Sequence, residues 1–198
     1  MKPFVKICGL KEREHIETAI EAGADALGFV FVESVRKLSI ENAIKITENV
    51  PRCIFRVAVF LNPDSASWDT IAKEFKPDAI QTDASDFEFL SVPSGIDQWP
   101  VFREHQQNTN IPKEGPFIYE GRHSGKGERV DWHQAAMIAK KGNLILAGGL
   151  NCNNVIEAIE TVRPYGVDVS SAVESSPGRK DSKKIQEFIQ SAKSIDVA

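Results

Sequence analysis

Apolar residues along this chain alternate between two spacings. Short runs rich in β-branched and aromatic residues, such as Phe4-Val5-Lys6-Ile7 and Leu27-Gly28-Phe29-Val30-Phe31-Val32, fit strands. The stretches between them place apolar side chains three and four residues apart, as one face of a helix requires. This pattern predicts strands at 4–8, 25–31, 54–60, 78–81, 98–102, 116–120, 143–147 and 166–170. It predicts helices at about 12–22, 39–48, 65–75, 85–91, 132–140, 152–161 and 181–192. Ser39, Asp131 and Asn151 are placed to cap the helices that follow them, and Gly23, Lys140 and Lys141 suit helix ends. Alternation this dense implies a parallel sheet with right-handed crossovers. Eight strands point to an α/β chain forming a single (β/α)8 (TIM) barrel domain over residues 1–198, with an open doubly wound sheet as the alternative. Between Phe102 and Gly115 no apolar stripe appears, so the helix after strand five is expected to be short or missing.

Composition narrows the function. Hydrophobic residues make up 41% of the 198 and charged residues 26%, as in ordinary soluble proteins. A net charge of -4, without basic runs interleaved with aromatics, argues against a nucleic-acid partner. The apolar runs are too short to span a bilayer, and the first residues lack a signal-peptide pattern, so no membrane partner and a cytoplasmic location are expected. Cys8, Cys53 and Cys152 form no CxxC pair, and no His/Asp/Glu cluster has ligand spacing; neither metal nor cofactor is expected. Cys53 reads as a small buried hydrophobe, and Cys152 as a mildly reactive thiol without a task.

Barrel active sites gather at the carboxyl ends of the strands. There this chain places Cys8-Gly9 after strand one, Arg36-Lys37 after strand two and Arg103 after strand five. Glu120 follows strand six, ahead of the loop Arg122-His123-Ser124-Gly125-Lys126-Gly127. Gly148-Gly149 follows strand seven, and Ser170-Ser171-Ala172 strand eight. Glycine-rich loops on the adjacent strands seven and eight present backbone N–H groups that converge on a phosphate; the plainer reading is a tight turn at Gly148-Gly149. The Gly125-Lys126-Gly127 segment lacks the Walker pattern. Cys8 reads either as a buried apolar side chain or as a proton-transfer group, since a thiol with a pKa of about 8.5 needs modest help to ionise. Lys6, two residues earlier on the same strand, supplies that help if it faces inward. Glu120 can face Cys8 across the mouth as an acid–base partner, its proton retained by partial burial, or can pair with Arg122 or Lys126. Arg36 and Arg103 make a cationic mouth suited to an anionic substrate.

Four segments resemble the phosphoribosylanthranilate isomerase family of tryptophan biosynthesis. They are Val5-Lys6-Ile7-Cys8-Gly9, Glu21-Ala22-Gly23-Ala24-Asp25-Ala26-Leu27-Gly28-Phe29-Val30-Phe31, Leu146-Ala147-Gly148-Gly149-Leu150 and the run from Pro164 to Gly178. The resemblance extends from residue 4 to about residue 190 and implies a (β/α)8 enzyme that needs no cofactor. It implies an Amadori rearrangement of N-(5-phosphoribosyl)anthranilate to 1-(2-carboxyphenylamino)-1-deoxyribulose 5-phosphate, a small phosphorylated anionic substrate. By the same resemblance Cys8 is the catalytic base, Glu120 the general acid and Arg36 the partner of the substrate carboxylate. Gly148, Gly149, Ser170, Ser171 and Ala172 bind phosphate, and Gly125 and Gly127 belong to a loop over the site. Lys6, Gln81, Asp83 and Arg103 remain candidate substrate contacts. Two departures stand out: Gln81-Thr82-Asp83-Ala84 replaces the family's Gln-Leu-His-Gly, and the acid is glutamate instead of aspartate. The alternatives are an isomerase of a related phosphosugar amine and a non-catalytic ligand-binding barrel. Monomer and homodimer are both compatible with the sequence.

Overall fold

A computed structural model describes residues 1–106, 111–123 and 127–197. Its barrel strands are β1 (Phe4–Cys8), β2 (Ala26–Val30), β3 (Phe55–Val59), β4 (Ala79–Asp83), β5 (Asp97–Arg103), β6 (Pro116–Glu120), β7 (Asn143–Leu146) and β8 (Gly166–Val169). All neighbours pair in parallel in sequence order, and β8 closes on β1 with Phe4 opposite Gly166 and Lys6 opposite Asp168. The closed barrel expected from the alternation is present, and the open sheet is excluded. The helices are α1 (Arg13–Ala22), α2 (Ile40–Thr47), α3 (Ser65–Glu74), α4 (Trp132–Ala139), α5 (Val155–Val162) and α6 (Ser182–Lys193).

Two helix caps form as the sequence predicts. Ser39 accepts from the Asn42 amide, and Asp131 accepts from those of His133 and Gln134. Two helices depart from expectation for local reasons. The predicted 85–91 helix is a 3-10 turn over Ala84–Glu88. There the Asp86 carboxylate accepts from the Thr82 hydroxyl and the Asn62 amide, tying the segment to β4 and the loop after β3. Helix α5 starts at Val155, not 152, so Asn151 is not its cap. Asn151 instead accepts from the Asn153 amide while its own amide donates to Asn154 Oδ1, closing a turn before the helix. Among the described residues no helix lies between β5 and β6, as the missing apolar stripe foretold. A short antiparallel hairpin, β9 (Glu174–Ser176) with β10 (Arg179–Lys180), was not foreseen in the sequence. Cys53 is exposed, against expectation, because it lies on the turn before β3 and not in it.

Alternate strand residues point inward or outward, dividing the core into two shells. Outside, barrel strands and helices enclose Ile7, Leu27, Phe29, Phe117, Ile185 and Phe188 among others. Inside lie Val57, Ala79, Trp99, Val101, Ile118 and Ile145. Phe4, Phe55 and Trp99 meet in one cluster, with ring centroids 5.4 to 6.1 Å apart. This cluster fills the barrel interior toward the amino ends of β1 and β3, leaving the carboxyl ends for a cavity.

Trp99 is fully buried, and its indole N–H has no partner among the described residues. Trp99→Ala is therefore expected to cost about 3–5 kcal/mol through the cavity it leaves. Trp99→Phe should lose much less, since no hydrogen bond is broken. Urea denaturation of both variants checks this, and equal losses would show that the ring packing is not the source.

Candidate functional site

Cys8 ends β1 with its side chain inside the barrel, on the same face as Lys6. Room for both comes from Gly28 on β2: a Cβ there would lie 3.0 Å from Cys8 Sγ and 3.2 Å from Lys6 Nζ. Lys6 is wholly buried, and its Nζ donates to Asp168 Oδ1 at 2.7 Å. Burial works against the Lys6 charge, but Asp168 and then Cys8 outweigh it and raise its pKa. Burial pushes the Cys8 thiol up; Lys6 pulls it down, Asp168 pushes it up and Lys180 pulls it down, with a net rise. Lys6 thus faces inward and acts on Cys8, but it is sealed behind Asp168 and is not part of the cavity wall.

Arg36, in the loop after β2, lays Nε and Nη2 on the two oxygens of Glu174 at 2.7 and 3.0 Å. Glu174 also accepts from Lys180 Nζ at 2.9 Å and the Gly178 amide at 3.2 Å. Burial opposes the Glu174 charge, yet Arg36 and Lys180 hold its carboxyl below the usual range. Lys180 also donates to the Ser170 carbonyl at 2.8 Å, and the Ser170 hydroxyl donates to the Cys8 carbonyl at 3.1 Å. The β9–β10 hairpin therefore braces Arg36, the loop after β8 and the end of β1 together.

On the far side Glu120 ends β6. Its Oε1 accepts from Arg103 Nη1 at 2.8 Å, and Arg103 also holds Asp83 through Nη2 and Nε. Among the described residues Glu120 meets Arg103 and not Arg122; Lys126, the other expected partner, lies outside the described residues. A cation does stand beside Asp83, as an anionic substrate would require.

Gly148 and Gly149 have φ of 88° and 66°, the left-handed region that glycine adopts readily. A Cβ at Gly148 would lie 2.5 Å from the Glu128 carbonyl oxygen, and one at Gly149 would lie 3.0 Å from both the Gly127 carbonyl oxygen and Arg129 Cα. The end of the loop after β6 thus packs directly on this pair. Among the described residues, neither glycine amide donates to an acceptor. Ser171 and Ala172 open a 3-10 turn, Ser171–Val173, directly after β8.

One cavity of about 190 Å³ joins these groups. Cys8, Arg36, Gln81, Glu120, Gly127, Gly148, Gly149, Ser170 and Ser171 line it. Ala172, Asp83 and Arg103 adjoin lining residues without being part of the lining themselves, and Gly125 falls outside the described residues. Gln81 Oε1 is buried without a partner among the described residues. Asp168, which lines the cavity, was missed in the sequence, although it shares its strand face with Ser170. Lys180 was missed too; it sits in a hairpin with no periodic signal. Among the described residues no group of three His, Cys, Asp or Glu side chains is arranged to hold a metal, and no helix is long and apolar enough to cross a membrane.

Comparison with known proteins gives a consistent result. Residues 5–191 match the family model described as N-(5'-phosphoribosyl)anthranilate (PRA) isomerase. The N-(5'-phosphoribosyl)anthranilate isomerase of Listeria welshimeri is 38% identical, with 98% of this chain and 100% of the relative covered. The crystal structure of phosphoribosyl anthranilate isomerase from Thermotoga maritima superposes with a TM-score of 0.81 at 31% identity, covering 98% of this chain and 100% of that one. Another such isomerase, in complex with reduced 1-(o-carboxyphenylamino)-1-deoxyribulose 5-phosphate, gives 0.78 at 31% identity with the same coverage. With the barrel, the match over nearly its whole length and relatives above 30% identity, this chain belongs to the phosphoribosylanthranilate isomerase family of tryptophan biosynthesis.

Proposed function

We propose that residues 1–198 form one catalytic domain that converts N-(5-phosphoribosyl)anthranilate to 1-(2-carboxyphenylamino)-1-deoxyribulose 5-phosphate. The observation that carries this reading is the meeting of Cys8, Glu120 and the Gly148-Gly149 amides in one cavity. The related enzyme bound to a reduced form of that product supports the choice of substrate.

Glu120 donates a proton to the ribose ring oxygen as the C1′–O bond breaks, and the anilino nitrogen lone pair forms an iminium with C1′. That cation acidifies the C2′ proton, which the Cys8 thiolate removes to give an enolamine. Protonation at C1′ with loss of the C2′ hydroxyl proton then gives the ketone. A thiolate is too weak a base for an unactivated sugar carbon, so ring opening must come first. Lys6 stabilises the thiolate, and Arg103 faces the carboxylate that remains on Glu120 after donation. The phosphate is assigned to the amides of Gly149 and Ser171-Ala172, with Gly127 above it. The substrate carboxylate is assigned to Arg36, whose Nε and Nη2 already hold Glu174 and so fix the plane of the guanidinium.

Steady-state isomerisation of phosphoribosylanthranilate, followed by loss of its fluorescence, tests the reading. Cys8→Ala and Glu120→Gln are each expected to lower kcat by roughly 10²-fold or more, the usual share of one acid–base group. A wild-type rate in Cys8→Ala would remove the cysteine from the reaction.

Arg36→Ala is expected to act mainly on KM, because the carboxylate it holds is remote from the bonds that change. Gly149→Ala should raise KM as well: its Cβ would meet the Gly127 carbonyl and force the left-handed backbone to shift. Titrating both variants with inorganic phosphate as a competitive inhibitor separates the two ends. Weaker phosphate inhibition is expected in Gly149→Ala alone; the reverse result would exchange the two assignments.

A further inference from the structure

Among the described residues Arg103 is the cation in direct contact with the general acid. Arg103 ends β5 directly beside Glu120 on β6, its register partner, and its side chain is almost wholly buried. It also reaches the other way to Asp83, which ends β4. Burial works against the Arg103 charge, yet Asp83 and Glu120 together raise its pKa, so it stays a guanidinium. A guanidinium at 2.8 Å favours the ionised form of the carboxyl it touches. Across the cavity burial disfavours the Cys8 thiolate. Ring opening needs the proton on Glu120 and the charge on sulfur, and these two influences favour the reverse.

We propose that Arg103, gripped by Asp83, is the positioning residue of the general acid: it aims Glu120 and keeps it a carboxylate in the resting enzyme. The inference rests on the role given to Glu120 above. The reactive form, Glu120 neutral and Cys8 ionised, has the same proton count as the resting form. Its share is then constant across the plateau of the pH profile. The acidic limb belongs to Glu120 and the alkaline limb to Cys8. Of the other charged groups described on the elements around Glu120, Arg122 is exposed on the connection that follows it, and several more have partners of their own. Glu128 holds His123, Glu104 accepts from the Asp131 amide, Lys6 holds Asp168 and Arg36 holds Glu174. Among the described residues Asp83 is the second anion on Arg103, and it tempers the guanidinium. Removing the arginine and removing the aspartate must move Glu120 in opposite directions, an outcome that packing alone does not produce.

The test is a ¹³C-carboxyl NMR titration of the intact protein, with the Glu120 signal assigned through Glu120→Gln. In the wild type Glu120 is expected to be ionised at neutral pH. Its midpoint should move to higher pH in Arg103→Met and to lower pH in Asp83→Asn. If Arg103→Met does not fold, the downward shift in the near-isosteric Asp83→Asn decides alone. A neutral Glu120 in the wild type, or an unmoved midpoint in Asp83→Asn, overturns the proposal. On phosphoribosylanthranilate, Arg103→Met should lose about 10- to 100-fold in kcat through misplacement of the acid. KM should stay within about threefold, and Arg103→Lys should recover part of the loss with its single ammonium. A change confined to KM would assign Arg103 to substrate binding and overturn its positioning role. Failure of the wild type to turn over this substrate would instead sink the assigned reaction, while the titration would still judge the clamp.

Discussion

The contact on which the architecture turns is the buried ion pair between Lys6 and Asp168. These residues are register partners across β1 and β8, the seam where the barrel closes. Removing water from a lone ammonium at this depth carries a penalty of several kcal/mol, which only a well-placed counter-ion offsets. A one-residue slip of β8 would turn Asp168 out of the barrel and leave Lys6 uncompensated. The pair therefore adds little net stability but strongly specifies which residues meet at the seam. Cys8 lies two residues beyond Lys6 and Ser170 two beyond Asp168, so the register that satisfies the charge also sets the thiol beside the loop after β8.

The same logic governs the rim. Two arginines beside the cavity are held by carboxylates from neighbouring elements: Arg36 by Glu174, and Arg103 by Asp83 and Glu120. Long cationic side chains carry considerable rotamer entropy, and on an open loop most of it would be lost on binding a substrate anion. Here that loss is taken during folding. Because these contacts are partly or fully buried, added salt screens them less than it screens pairs on the outer surface.

Much of the fold was legible in the sequence because each strand and helix carries its own period. The boundaries that failed did so where side chains bind nearby backbone or one another. Asp86 and the Asn151–Asn154 turn shorten two helices by means that hydrophobic spacing does not register. In the candidate site, residues at strand ends were legible because the barrel places all of them on one face; Cys8, Glu120 and Gly149 were found that way. The pairings were not legible. That Glu120 meets Arg103 and not Arg122 depends on the β5–β6 register, and that Arg36 meets Glu174 depends on a hairpin after β8 that has no periodic signature. Asp168 shows the opposite failure: its inward parity was readable, but an acid inside a barrel explains itself only once Lys6 is seen to face it.

One segment ties the two ends of the cavity together. Gly121, which follows Glu120, packs against Glu128, and Gly127 and Glu128 lie against Gly149 and Gly148. On the proposed reading, phosphate bound at Gly149 touches the same connection that carries the acid. Binding energy from the non-reacting phosphate is then available to orient Glu120 at the distant ring oxygen, where it lowers the barrier instead of only tightening the ground state. The glycines make this coupling feasible. Any larger residue at 148 would run its Cβ into the Glu128 carbonyl and lift the loop away. The close backbone approach that fits these amides for an anion is also what links them mechanically to the acid.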